Sequence, residues 1–260
     1  MRITWLGTAS IRIEAAGESI LFDPFVQLQG GENPNSLEDF SKDETIFITH
    51  GHLDHLMEAP EFLDGESDLE ATVFCGSVAA ATLGMAVLDT SNVVEVKPGD
   101  SIRIGEMTVK VYEGKHADPG PVQKFTRLLS VRMLRHFKNA LALAYLNAHY
   151  KEAGQTLIYE VQAEGKTILV MGSLGLADTV EYPVGADLLL LPFQGSRRLE
   201  ETALSIVERL KPGRIILDHF DDAFPPISRQ IDTRFFKKLM DEKHPEISVV
   251  KPAFGKAVEL

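Results

Sequence analysis

The chain is poor in cysteine, in positive charge and in long apolar runs. One cysteine, Cys75, stands among 260 residues. No intrachain disulfide can form, which suits a reducing cytosol. Cys75 lies in Thr72-Val73-Phe74-Cys75, an apolar context that reads as a packed thiol and not a nucleophile. Lys and Arg number 26 against 38 Asp and Glu, a formal net charge of −12. Such a surface repels phosphate backbones, so no nucleic acid is expected as a partner. No apolar run approaches the roughly 20 residues that cross a bilayer. The opening Met1-Arg2-Ile3-Thr4-Trp5 lacks the apolar core of a signal peptide. These absences predict a cytoplasmic protein without membrane association. No short-period repeat or low-complexity segment appears. The hydrophobic fraction of 44% over 260 residues is ordinary for a soluble globular chain and allows one large-cored domain over 1–260.

What the chain does have is a dense cluster of metal-ligand side chains. Thr49-His50-Gly51-His52-Leu53-Asp54-His55 holds three imidazoles and a carboxylate within six residues, directly after the apolar run Thr45-Ile46-Phe47-Ile48. The run reads as a buried strand and the motif as the loop at its end, a usual place for catalytic groups. Imidazole and carboxylate without thiolate suit zinc, manganese or iron.

Strands are predicted at 2–6, 10–15 and 19–22, with Ala16-Gly17-Glu18 as a hairpin turn, and again at 73–75, 92–96, 101–104 and 107–113. Residues 25–44 read as a loop, and 56–63 and 77–83 as short helices. The second half repeats the scheme. Strands are expected at 155–163, 167–171, 188–192, 215–218 and 247–250, and helices at 199–210 and 228–242. Strands followed by helices, twice over, suggest two sheets packed face to face with helices outside.

His-x-His-x-Asp-His after a strand resembles the metallo-beta-lactamase fold superfamily. The opening Ile3-Thr4-Trp5-Leu6-Gly7-Thr8-Ala9-Ser10 and Ile20-Leu21-Phe22-Asp23-Pro24 is similar to its ascorbate-6-phosphate-lactonase-like branch. The resemblance implies an α/β (α+β type) fold, a four-layer αββα sandwich with a helical insertion at 117–152. It implies that His50, His52 and His116 hold one metal and that Asp54, His55 and His219 hold a second. His116 and His219 each follow a predicted strand, in the chain order the family pattern requires. The cofactor expected is Zn²⁺ or Mn²⁺, with Fe behind them, as one or two ions per chain. Where most of the family has Gly-Asp-Thr-Gly, this chain has Gly172-Ser173-Leu174-Gly175. Ser173 is a neutral hydroxyl and a poor ligand, which leaves the number of ions open. Asp23, Asp218 and Ser173 are candidates for supporting contacts behind the ligands, the carboxylates by fixing an imidazole tautomer.

From Pro119 to Lys151 there is no Asp or Glu, while Lys124, Arg127, Arg132, Arg135, Lys138 and Lys151 fall there. Leu128, Val131, Leu134, Leu141 and Tyr145 recur at helical spacing, so 126–149 reads as one amphipathic helix. It suits a lid with cations for an anionic substrate, a packed or dimer-forming helix, or a helix lying on an anionic membrane. Lys124, Arg127, Arg197 and Arg198 are the candidate substrate-binding cations. The function implied is a metal-dependent hydrolase. Metal-activated hydroxide would attack an ester, lactone or phosphodiester of a small anionic substrate, with Asp54 orienting it as the catalytic carboxylate. A non-catalytic metal-binding or sensor protein and a mononuclear iron sulfur dioxygenase are the alternatives. A homo-oligomer is left open.

Overall fold

Period-two burial builds the first sheet. In β2 (Ile11–Ala15) the odd positions are buried and Arg12 and Glu14 are not, the pattern of a strand with one face on a core. The computed structural model describes residues 1–40, 45–63, 71–117 and 131–260. Within them lie two seven-stranded sheets. The first holds β1 (Arg2–Trp5), β2, β3 (Glu18–Phe22), β4 (Thr45–Phe47), β5 (Thr72–Cys75), β6 (Val93–Glu95) and the closing strand β14 (Ala257–Glu259). The second holds β7 (Ser101–Ile104), β8 (Met107–Glu113), β9 (Leu157–Ala163), β10 (Lys166–Met171), β11 (Leu188–Pro192), β12 (Arg214–Asp218) and β13 (Ser248–Val250). Each sheet is antiparallel on one side and parallel on the other: β3 to β6 run parallel, as do β10 to β13.

The sheets stack through their inner faces. Phe22 and Phe47 of the first sheet pack on each other at 5.5 Å between ring centroids, and Phe47 meets Tyr159 of the second at 5.3 Å. On the outer face of the first sheet, Leu21, Ile46, Val73 and Cys75 pack with Leu56, Phe62, Ala79 and Leu83. These last come from the helices α1 (Leu53–Leu56), α2 (Ala59–Leu63) and α3 (Ser77–Ala86). Ala203, Val207, Phe236 and Met240 of α6 (Leu199–Leu210) and α7 (Arg234–Lys243) join the buried residues of the second sheet. The result is the expected helix–sheet–sheet–helix stack. Leu188 to Leu191 are all fully buried, because a parallel strand is covered on both faces. Burying each such side chain is worth about 1.5–3 kcal/mol.

Two expectations need correction. The helix predicted over 228–242 starts only at Arg234. The Ser228 hydroxyl accepts from the Phe224 amide (2.7 Å) and donates to Asp222 (2.7 Å), and the Asp232 carboxylate accepts from the Arg234 amide (3.0 Å). Such local side-chain bonds compete with helical ones. The helix predicted over 126–149 is two helices, α4 (Val131–Arg135) and α5 (Phe137–His149), broken at His136; its residues 126–130, with Lys124 and Arg127, lie outside the described residues. The residues at helical spacing are not the covered ones. Leu134, Leu141 and Tyr145 are exposed, and the inward residues are Leu143 and Leu146, which pack with Phe25, Leu53 and Phe224. Asn139 holds the helix down through bonds to the carbonyls of Gln29 (3.0 Å) and Pro225 (2.9 Å). No helix among the described residues is long and apolar enough to cross a membrane.

Candidate metal centre

The carboxyl ends of β3, β4, β8, β10 and β12 meet at one edge of the sandwich and deliver Asp23, the loop Thr49–His55, His116, Ser173 and His219 respectively. The edge is stitched across the sheets. The Leu157 amide donates to the Thr49 carbonyl (2.8 Å), the Tyr159 hydroxyl donates to the Ile48 carbonyl (2.8 Å), and His50 forms an isolated β-bridge with Thr156. Gly172 is required at this crossing, since a Cβ there would collide with the Thr49 side chain. His52 is extended at the start of α1, and the single turn that follows raises Asp54 and His55 beside it.

The six expected ligand residues fall into two groups. Ligand-type atoms of His50, His52 and His116 lie within 4.8 Å of one another, and so do those of Asp54, His55 and His219. In the first group His50 Nε2 is 3.1 Å from His52 Nδ1, and the His116 ring centroid is 5.1 Å from that of His50 and 4.6 Å from that of His52. In the second, Asp54 Oδ2 lies 3.1 Å from His219 Nε2 and 3.8 Å from His55 Nε2. The His50 and His55 rings are 3.9 Å apart, joining the groups.

The surroundings orient several of these rings. Asp23 Oδ2 is 2.7 Å from His55 Nδ1, and the same carboxylate accepts from the Thr49 amide (2.7 Å) and hydroxyl (2.6 Å). His116 Nδ1 faces the Ala117 carbonyl at 2.8 Å, and His219 Nδ1 faces the Gln194 side-chain amide at 3.3 Å. In all three the Nδ1 contact leaves Nε2 turned toward the group. The Ser173 hydroxyl accepts from the Ala117 amide at 3.0 Å. Asp218 is corrected here. It is buried, and neither oxygen has a hydrogen-bond partner among the described residues. Neighbouring side chains at a strand end diverge, so it does not reach the His219 ring, and Gln194 occupies that position. Asp23 and His219 adopt left-handed backbone, φ 45° and 54°. This costs on the order of 1–3 kcal/mol each and clusters at functional sites.

Burial lowers the pKa of His50 well below the ordinary imidazole range, with His55 and His52 adding to it. Burial also lowers His116, and brings His52 to about 4. Burial opposes the charge of Asp54, but His55 and His219 outweigh it and hold the carboxyl below its usual range. For His219 burial likewise works against the charged form, and the bond to Asp54 prevails and raises the pKa. The first group therefore favours neutral imidazoles, and the second pairs an ionised carboxylate with a His219 that holds its proton more tightly and would give it up to bind an ion. Neutral imidazole and carboxylate are the forms that bind divalent ions.

All six residues line one cleft of 690 Å³, with Asn147, Glu152, Ser173, Gln194 and Ile227 among the remaining walls. Sequence reasoning missed Gln194 and Glu152. Gln194 stands two residues beyond β11, and that position at a parallel strand end was the available signal. Arg197 and Arg198 do not line this cleft. They line a neighbouring depression with Ser196 and Thr202.

A family model described as the beta-lactamase superfamily domain matches residues 2–219, a span that includes both groups. The chain belongs to the beta-lactamase superfamily. A superfamily relative from Methanopyrus kandleri, named a UPF0173 metal-dependent hydrolase, is 26% identical over 265 residues and is matched over the full length of both chains. Among solved structures, Igni18, a metallo hydrolase from Ignicoccus hospitalis, superposes with a TM-score of 0.66 at 18% identity, covering 99% of this chain and 97% of that one. An isothiocyanate hydrolase from Delia radicum gut bacteria gives 0.63 at 16% identity, covering 100% and 99%. At these identities the structures establish the shared superfamily fold.

Proposed function

We propose that the chain is a cytoplasmic metal-dependent hydrolase. It acts on an ester, lactone or phosphodiester of a small molecule, with 1–260 as one domain and 117–152 as its insertion. The observation that carries this reading is the pair of ligand triads in one cleft. The full-length relative named as a metal-dependent hydrolase supports the reaction class. The donor set fits Zn²⁺ or Mn²⁺: five imidazoles and a carboxylate with no thiolate, with His55, His116 and His219 turned by their Nδ1 contacts so that Nε2 faces the group. His50, His52 and His116 would hold one ion, and Asp54, His55 and His219 the other. Asp23 would fix the tautomer of His55, and the Gln194 side chain would position the His219 ring.

Bound there, divalent ions lower the pKa of water toward neutrality and polarise the bond under attack. The protein's part is to position and to exclude. Asp54, ionised beside His219, accepts a hydrogen bond from the attacking water, orients it and can take its proton. The Ser173 hydroxyl accepts from the Ala117 amide, so its own proton is free to donate to a substrate oxygen in the cleft. Among the described residues, no lysine or arginine lines the cleft. Arg197 and Arg198 stand in the neighbouring depression, where they could meet an anionic group of a substrate that extends beyond the cleft.

Chelation is the direct test. The loaded protein is assayed on a panel of lactones, aryl esters and phosphodiesters, then stripped and reassayed. Activity should vanish and return with Zn²⁺ or Mn²⁺. Turnover that survives complete stripping overturns the reading.

A further inference from the structure

The two triads differ in charge. The second contains Asp54, but the first is three imidazoles and no carboxylate. A divalent ion on three neutral donors keeps its whole charge in a partly desolvated place, which is costly without a nearby anion. Besides Asp54, Glu152 is the one carboxylate among the described residues that line the cleft. Its charge acts on the imidazoles of both His52 and His116.

Glu152 is also firmly placed. It sits on a short strap, 151–156, between α5 and β9. The Lys151 carbonyl presses on Gly51 so closely that a Cβ at 51 would collide with it. The Gln155 side chain accepts from the Val78 amide (2.9 Å) and donates to the Ser77 hydroxyl (3.1 Å). Thr156 forms the bridge to His50. The strap is thus bound to the loop that carries His50 and His52. Within it, the Glu152 oxygens accept from the Thr156 hydroxyl (3.0 Å) and the Gly154 amide (2.9 Å). Each oxygen keeps accepting capacity, so these bonds orient the carboxylate without neutralising it.

We propose that Glu152 is the charge-compensating carboxylate of the first triad, setting the affinity of the ion held by His50, His52 and His116 without entering its coordination. The inference rests on the reading that both triads hold metal. It explains why an acidic side chain ends the long acid-free stretch at the point where the chain returns to the cleft.

The test is Zn²⁺ titration of the metal-free full chain against a chromophoric chelator, at low and high salt, with thermal unfolding in parallel. Wild type is compared with Glu152→Gln, Glu152→Ala and Thr156→Val. Both Glu152 variants should weaken one of the two ions about 10–100-fold, the range typical of supporting groups behind a ligand, and leave the other unchanged. The difference should shrink as salt rises. Thr156→Val keeps the charge but loses a bond that holds it, and should retain wild-type affinity. Glu152→Gln with wild-type affinity for both ions overturns the proposal and leaves the hydrolase reading intact. Thr156→Val as weak as Glu152→Gln also overturns it, since the strap's shape would then be the cause. A wild-type chain that takes up no Zn²⁺ overturns both readings.

Discussion

The two triads are built from the same residue types yet are supported differently. The second is wholly buried, contains its own carboxylate, and has Asp23 and Gln194 behind its imidazoles. In the first, His52 and His116 are half-buried, no carboxylate belongs to the group, and the one contact oriented behind His116 is a backbone carbonyl. The contrast teaches that ligand identity alone does not rank two metal sites. Charge and the groups behind the ligands do. On this basis the second triad is expected to be the tighter site, which metal titration of the two sites would check.

The largest effects should come from removing one ligand at a time. His219→Ala should lose the second ion and His52→Ala the first, read by metal analysis of the dialysed protein. Each should lower kcat on the order of 10³-fold, because cooperating groups fail together. If either substitution strips both ions, the triads are one unit and the comparison breaks. Asp23→Asn should weaken only the second ion, by about 10–100-fold; an equal loss at both sites would show that Asp23 shapes the whole loop through Thr49.

Acid should bring a smaller, graded change in the metal-free protein. His50, His52 and His116 have lowered folded pKa values, so below the unfolded value of about 6.5 the unfolded chain takes up protons that the folded one refuses. Stability present above that pH should fall as pH drops toward the folded value, about 4 for His52. The lowered Asp54 acts in the same sense at still lower pH. The raised His219 acts oppositely, adding stability below about 6.5 that is lost as pH rises. Denaturation midpoints followed from pH 7.5 to 4 should decline; a rise would mean that the second triad's histidine dominates. The least effect is expected from Leu141→Ser on α5. That side chain is 57% exposed, and stability should stay within about 0.5 kcal/mol with both metal affinities kept. A loss at either ion would tie the outer face of α5 to the triads.

Much of this was legible in the residues. His50, His52, Asp54 and His55 are contiguous, so their meeting needs only a loop. His116 and His219 were found because each follows an apolar run, and parallel or antiparallel strands that end at one edge bring such residues together. Asp23 could be suspected from its position after β3. The failures share a cause. Helical periodicity in 126–149 marked an apolar stripe but not which side would be covered. Leu134, Leu141 and Tyr145 face out because Asn139 and Leu143 decide the docking. Asp218 looked like a partner for its neighbour, whereas the group beside the His219 ring is Gln194, from the loop after β11. Glu152 belonged to no motif. Its place depends on the strap's approach to Gly51, a contact between segments about a hundred residues apart.

The clasp between Thr49, His50, Ile48 and the start of β9 has a mechanical consequence. The two halves of the sandwich meet at the very place where the ligands converge, so the molecule has no free hinge there. Prying the sheets apart would tear His50 away from its companions before the cleft widened. The clasp therefore fixes the floor of the cleft, while Asn147 of α5 and Glu152 of the strap are among the groups that form its walls.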